Sequence, residues 1–138
     1  MKGAGLDRVA MDDVVRMVPF SGHLGFELMA CGADAAVVEV VLRPEHCTAG
    51  STAHGGFLMA LADFTGAAGA YQVLPEGAKG TTTIESKTNM IGAAPVGSRL
   101  RATATPVHVG RRTSVWSTRI ETETGKLISV TSQTQMVL

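Results

Sequence analysis

Between residues 54 and 74 the usual alternation of apolar and polar positions disappears. The stretch His-Gly-Gly-Phe-Leu-Met-Ala-Leu-Ala-Asp-Phe-Thr-Gly-Ala-Ala-Gly-Ala-Tyr-Gln-Val-Leu is apolar almost throughout, with one carboxylate, Asp63, near its middle. Pro75-Glu76-Gly77 stops it as a helix breaker and turn. A helix over 55–74 would be about 30 Å long at ~1.5 Å per residue, and a helix apolar on most sides is buried. Before it, residues 9–18 put Val14, Val15 and Val18 on one side of a short amphipathic helix that Pro19 closes, which reads as a lid or edge cover. Residues 23–31 and 36–43 read as strands of a hairpin across Gly32-Ala33-Asp34. Pro44 ends the second strand, and an irregular loop over 45–53 leads into His54. After the helix, residues 81–90, 99–109, 113–123 and 127–137 read as strands joined by short turns, an antiparallel meander. The order predicts an α+β domain, one antiparallel sheet wrapped around one long central helix.

A chain of 138 residues holds one domain with a sizeable core. Lys and Arg together number 12, as do Asp and Glu, so no net field draws nucleic acid or acidic membranes. The central stretch approaches membrane-spanning length, but Asp63 and its Gly, Ala and Thr content argue against insertion. The first residues lack the apolar run of a signal peptide. Cys31 and Cys47 have no metal-type spacing, and a reduced, cytoplasmic chain is expected.

At 100° per residue, Phe57, Leu61, Phe64, Ala68 and Tyr71 form one stripe, expected to press into the concave sheet. Asp63 lies about 120° away, in a row with Gly56, Met59, Ala60, Gly66, Ala67 and Ala70. Apart from Met59 these are small residues, and each Gly costs a helix ~1 kcal/mol, so they imply close approach of a partner helix or a substrate. None of the helical neighbours of Asp63 is a cation, and a buried unpaired carboxylate is costly, which marks it as functional. Gly55 and Gly56 leave backbone N–H groups open at the helix start, suited to an oxygen that develops negative charge. Eight residues of helix separate Gly55 from Asp63 by about 12 Å, too far for both to touch one carbonyl. If both act on one bond they come from two chains with antiparallel helices, giving two equal sites across a twofold axis.

His54-Gly55-Gly56 followed by Asp63 at the start of a long helix, with strands on either side, resembles the hotdog-fold acyl-CoA thioesterases of the phenylacetic-acid-degradation (PaaI) type. The similarity covers residues 24 to 138. It implies that residues 1–138 form a single hotdog thioesterase domain, with residues 1–22 as a helical segment covering the sheet edge. It also implies hydrolysis of acyl-CoA by Asp63, as nucleophile or as general base, with Gly55 of the opposite subunit donating its N–H to the thioester oxygen. By the same resemblance His54 orders the loop and hydrogen-bonds near the site. Where relatives carry Asn or Gln six residues before that histidine, Thr48 stands here. A hydroxyl on the following strand assists water in relatives, and Thr83 falls at that position, with Thr82 as the neighbouring reading. Gly56, Met59 and Ala67 are expected along the substrate. Arg111 and Arg112, with Lys79 and Lys87, are candidates for the coenzyme A phosphates. A homodimer is required, and two dimers can pair into a tetramer.

Thioester cleavage of this kind needs no metal or cofactor, because the thiolate leaves readily and one carboxylate with one oxyanion donor suffices. A Cys47 nucleophile paired with His46 or His54 is the weaker reading, since free cysteine is more often a small buried residue. His23, His46, His54 and His108 lack zinc spacing. A hotdog hydratase or dehydratase would need a histidine beside an acid on the helix, which carries Asp63 alone. A ligand-binding hotdog protein that holds acyl-CoA without cleaving it is the alternative from a different class. About twenty residues before Leu24 are too few for a DNA-binding module.

Overall fold

Helix α3 (Gly55–Gln72) lies across a single antiparallel sheet and is the element on which that sheet packs. The computed structural model describes residues 6–138. Residues 1–5, which open the expected segment of residues 1–22, lie outside the described residues. Two short helices, α1 (Arg8–Met17) and α2 (Pro19–His23), precede strands β1 (Glu27–Cys31) and β2 (Ala36–Val41). A 3-10 turn (Pro44–His46) and a loop lead to α3, and β3 (Thr81–Met90), β4 (Arg99–Val109), β5 (Thr113–Thr122) and β6 (Leu127–Val137) follow. The strand order is β1-β2-β4-β5-β6-β3, and one antiparallel sheet packed on one long helix is the architecture expected from the sequence.

Some of the expected detail changes. The meander holds for β4, β5 and β6, but β3 lies at the far edge and pairs with β6. Its link to β4 does not turn back as a hairpin. It bonds instead to the loop before α3, through Ala53 N–H to the Ala94 carbonyl (2.9 Å) and Val96 N–H to the Ser51 carbonyl (2.8 Å). Pro19 starts α2 as well as ending α1, because a residue without an N–H suits the first helical position. α3 stops at Gln72, two residues short of the expected end.

The Phe stripe of α3 is buried as far as Ala68, whereas Tyr71 is 55% exposed. Phe57 and Phe64 meet Phe26, at ring distances of 5.7 and 5.8 Å. The stripe packs into one core with the apolar sheet residues, and the Ala68 carbonyl accepts the Cys31 thiol of β1 at 3.3 Å. Beside it, small residues bring the helix close to β5 and β6. A Cβ added at Gly66 would lie 2.2 Å from Gln133 Oε1, and one at Gly69 would lie 2.6 Å from the Trp116 ring. Glycine therefore lets the helix axis approach the sheet, and the helix propensity it gives up is offset by packing. The close body that Gly66 implied in the sequence is the chain's own β6.

Under the other end of the sheet the inner face follows ordinary alternation. Ala36, Val38 and Val40 of β2 and Leu100, Ala102 and Ala104 of β4 are buried. On the outer face Glu39 bonds Arg99 and Arg101 across the β2–β4 pair. β6 departs from the pattern: its inner positions are Ser129, Thr131, Gln133 and Gln135, all buried. α3 thus lies partly over apolar and partly over polar sheet, and Asp63 stands on the polar part.

Gly69→Ala tests the close approach. Propensity alone predicts a gain of up to ~1 kcal/mol, while overpacking against the fully buried Trp116 predicts a net loss of about 1–3 kcal/mol. Urea unfolding should show the loss, and a stabilised variant would mean the helix does not sit this close.

Candidate active site

The start of α3 is built by the loop before it. His54 is the N-cap, and its Nδ1 accepts the Gly56 N–H at 2.8 Å. An accepting Nδ1 places the ring proton on Nε2. A Cβ at Gly56 would meet that ring at 3.1 Å, so glycine there makes room for the cap. With Gly56 N–H taken, the Gly55 N–H is left without an acceptor among the described residues. It is an orphan donor at the positive end of a helix dipole. The loop itself is tied down by His54 N–H to the His46 carbonyl (3.0 Å). His46 is buried, stacks on Phe57 at 4.3 Å, and accepts the Arg43 N–H on Nδ1 at 3.0 Å.

Two turns further along α3, Asp63 is half-buried. Its Oδ1 accepts the Thr83 hydroxyl at 2.6 Å. Gln133 Nε2 donates to the Asp63 carbonyl oxygen at 3.3 Å and lies 3.5 Å from Oδ1. Gln135 Nε2 donates to Thr83 Oγ1, and the Thr81 hydroxyl donates to Gln135 Oε1 at 3.0 Å. This chain of bonds has one direction. Thr83 gives its single proton to Asp63, so Gln135 presents its amide nitrogen to Thr83 and its Oε1 to Thr81, whose hydroxyl lies equally near the Met136 carbonyl, at 3.0 Å. Oδ2 carries no hydrogen bond from the described residues and is the open face of the carboxylate.

A bulge sets this geometry. The β3–β6 register slips between Thr83 and Glu85, and the extra residue, Ile84, is 56% exposed. The slip turns Thr83 inward opposite Gln135, as bulges re-aim side chains beside sites. Thr83, and not its exposed neighbour Thr82, is the residue that meets Asp63.

The other expected residues are spread around this pair. Met59 is 40% exposed and Ala67 half-buried, both on the Asp63 side of α3. Thr48 is exposed in a tight turn, donating its N–H to the Thr52 carbonyl at 2.8 Å, and is not joined to Asp63. Arg111 and Arg112 are exposed on the β4–β5 turn. Like Lys79 and Lys87, they form no ion pair with described residues. Cys47 Sγ points to the Arg43 carbonyl at 3.5 Å rather than to an imidazole. Cys31 is buried, and burial pushes its thiol up to about 11. No His, Cys, Asp and Glu cluster suited to a metal occurs among the described residues, and none of their helices is long and apolar enough to cross a membrane.

Gln133, Gln135 and Thr81 were not foreseen as site residues. Their signal is the wrong polarity of one strand: Ser129, Thr131, Gln133 and Gln135 fall on a single face of β6, where a core strand carries apolar residues.

Buried His46 supplies a test of the loop that aims Gly55. Burial first, and the Arg43 charge next, hold its pKa below the ordinary 6.5. The unfolded chain therefore takes up its proton at higher pH than the folded one. The corresponding stability is complete above about pH 6.5 and is lost as pH falls through the lowered value. Thermal melts should show this loss below pH 6.5, and His46→Asn, which keeps an acceptor for the Arg43 N–H, should lack that component. An identical pH slope in the variant would contradict the assignment.

A family model described as the thioesterase superfamily matches residues 50–129. A Haemophilus influenzae protein with a provisional esterase designation is 34% identical over 119 residues, covering 84% of this chain and 83% of its own length. Among solved structures, a point mutant of the phenylacetic acid degradation protein PaaI from Thermus thermophilus is 30% identical with a TM-score of 0.79. That match covers 87% of this chain and 99% of the other. A hypothetical thioesterase from Streptococcus pneumoniae, solved with coenzyme A, is similar in fold with a TM-score of 0.80 at 22% identity, covering 93% and 96% of the two chains.

Proposed function

The chain belongs to the thioesterase superfamily, and from that premise we propose that it hydrolyses acyl-CoA thioesters to the free acid and coenzyme A. The observation that carries the reading is Asp63, with Oδ1 held by Thr83 and Oδ2 open. Oδ2 acts on the thioester carbonyl carbon or on the water that attacks it. Carbonyl π electrons move onto oxygen, which an N–H donor stabilises more strongly as the charge grows. If water attacks, its proton passes to Asp63, the C–S bond breaks, and the departing thiolate takes that proton. If Oδ2 attacks, C–S cleavage leaves an Asp63–acyl anhydride. Water then cleaves it to the free acid and Asp63, while the thiolate takes the proton that water releases.

That N–H is the orphan donor of Gly55. It lies about 12 Å along the helix from Asp63 of the same chain, so the donor at each site is the partner subunit's Gly55, and the working unit is a homodimer. The exposed surface beside α3 favours such pairing. β3 is an edge strand, and Ile84, Met90 and Ile91 on or next to it are each about half exposed, as is Met59 on the helix. An apolar patch and an open sheet edge on one side of a molecule are features of an interface. Arg111 and Arg112, which form no ion pair among the described residues, are available to the coenzyme A phosphates.

Asp63→Asn keeps the shape and removes the base. Thiol release from acyl-CoA should fall by about 10²–10⁴, and undiminished hydrolysis would sink the assignment. For the oxyanion donor, Gly55→Pro deletes the N–H at a first helical position, where proline is tolerated. The preceding residue, His54, already has the extended backbone that proline requires (φ −67, ψ 137). Its kcat should fall by about 10²–10³, while Gly55→Ala, which keeps the N–H, retains most activity. Equal losses in the two variants would point to loop distortion instead.

A further inference from the structure

An apolar groove of about 280 Å³ opens along the part of α3 that follows Asp63, starting at Phe64, with Asp63 itself outside its lining. Val14, Met17 and Val18 wall it from α1 and the joint after it, Phe64, Ala67 and Tyr71 from α3. Thr81 of β3 also lines it, and its hydroxyl lies 3.0 Å from the Gln135 amide oxygen, whose nitrogen bonds Thr83. Ala67 follows Asp63 by one helical turn, about 6 Å along the axis. Met17 is 75% exposed, so a large apolar side chain faces solvent at the rim of a concave apolar surface. Such surfaces take small molecules. No cation lines the groove, which makes it unsuited to the coenzyme A phosphates.

The pairing of two helices decides which way a bound acyl group runs. With the partner subunit's Gly55 opposite Asp63, the part of α3 before Asp63 lies against the partner's helix. The part after Asp63 extends past the start of that helix. An acyl group whose carbonyl sits at Asp63 therefore meets a packed helix in one direction and the groove in the other. We propose that this groove is the acyl-binding site and that it selects apolar acyl groups of medium length over acetyl. One water takes up roughly 30 Å³ and a methylene group is of similar size, so the groove holds a chain of about eight carbons. α1 is then a wall of the substrate site. The inference rests on the thioester-binding reading and its twofold site.

Calorimetry with S-octyl-CoA and S-methyl-CoA, thioethers that cannot be hydrolysed, tests the groove apart from catalysis. The intact protein should bind the octyl compound at least tenfold more tightly. Met17→Glu, which puts a charge at an exposed rim position, and Ala67→Leu, which fills the groove, should each bring that preference to within about threefold. Val9→Glu, on α1 but outside the groove, should keep it. Equal binding of the two thioethers by the intact protein, or a preference that survives both groove variants, would overturn the proposal. A preference lost in both variants in a protein that releases no thiol from octanoyl-CoA or acetyl-CoA would uphold the groove and overturn the hydrolase reading.

Discussion

A carboxylate on an otherwise apolar helix needs a partner, and among the described residues no cation supplies one to Asp63. A hydroxyl does, donated by Thr83 from the edge strand at 2.6 Å. Several features that look unrelated follow from that bond. The bulge at Ile84 exists where Thr83 must face inward. The polar inner face of β6 supplies Gln135, which leaves Thr83 free to donate to nothing but Asp63, and Gln133, which lies over the helix at the same level. Gly66 is the residue that admits Gln133. A polar network under a helix is tolerable when its members satisfy one another. The Gln135–Thr83–Asp63 chain does so, ending on the acid, whereas Gln133 Oε1 is buried with no hydrogen-bond partner among the described residues.

The second constraint is length. A helix advances too slowly for its own first N–H and a side chain two turns later to meet on one carbonyl. His54 sharpens the point, because its ring takes the Gly56 N–H and leaves Gly55 as the unused donor. On the proposed reading the chain carries both halves of a site but cannot close them on itself. The proposed twofold pairing of antiparallel helices would close them twice, and the exposure of Ile84, Met90 and Ile91 on or next to the edge strand is what supports it.

Much of this was readable from the order of residues. The unbroken apolar run with Asp63 in it identified the central helix, and the 3.6-residue period placed the acid away from Phe57 and Phe64. The hairpin of β1 and β2 and the last three strands followed from alternation and turn residues. What could not be read depended on contacts distant in sequence. The place of β3 at the far edge depends on where the link after Met90 finds hydrogen bonds, in the loop before α3. The large-residue stripe packs into the core as far as Ala68, but the close approach of Gly66 to Gln133 and of Gly69 to Trp116 depends on residues of β5 and β6 far along the chain. Thr83 could not be separated from Thr82 without the bulge, and the two glutamines became visible only once β6 was seen to lie beneath Asp63.

The claim on which the account stands is that one chain supplies the acid and another the oxyanion donor. Subunit mixing addresses it directly. Asp63→Asn and Gly55→Pro proteins, each inactive alone, are dissociated, mixed in equal amounts and allowed to reassociate, with exchange verified by mass. Random pairing makes half of the dimers mixed, each with one intact composite site, so thiol release should recover to about a quarter of the native level. If exchange is complete and activity stays at the level of the parents, acid and donor act within one chain and the twofold site is wrong.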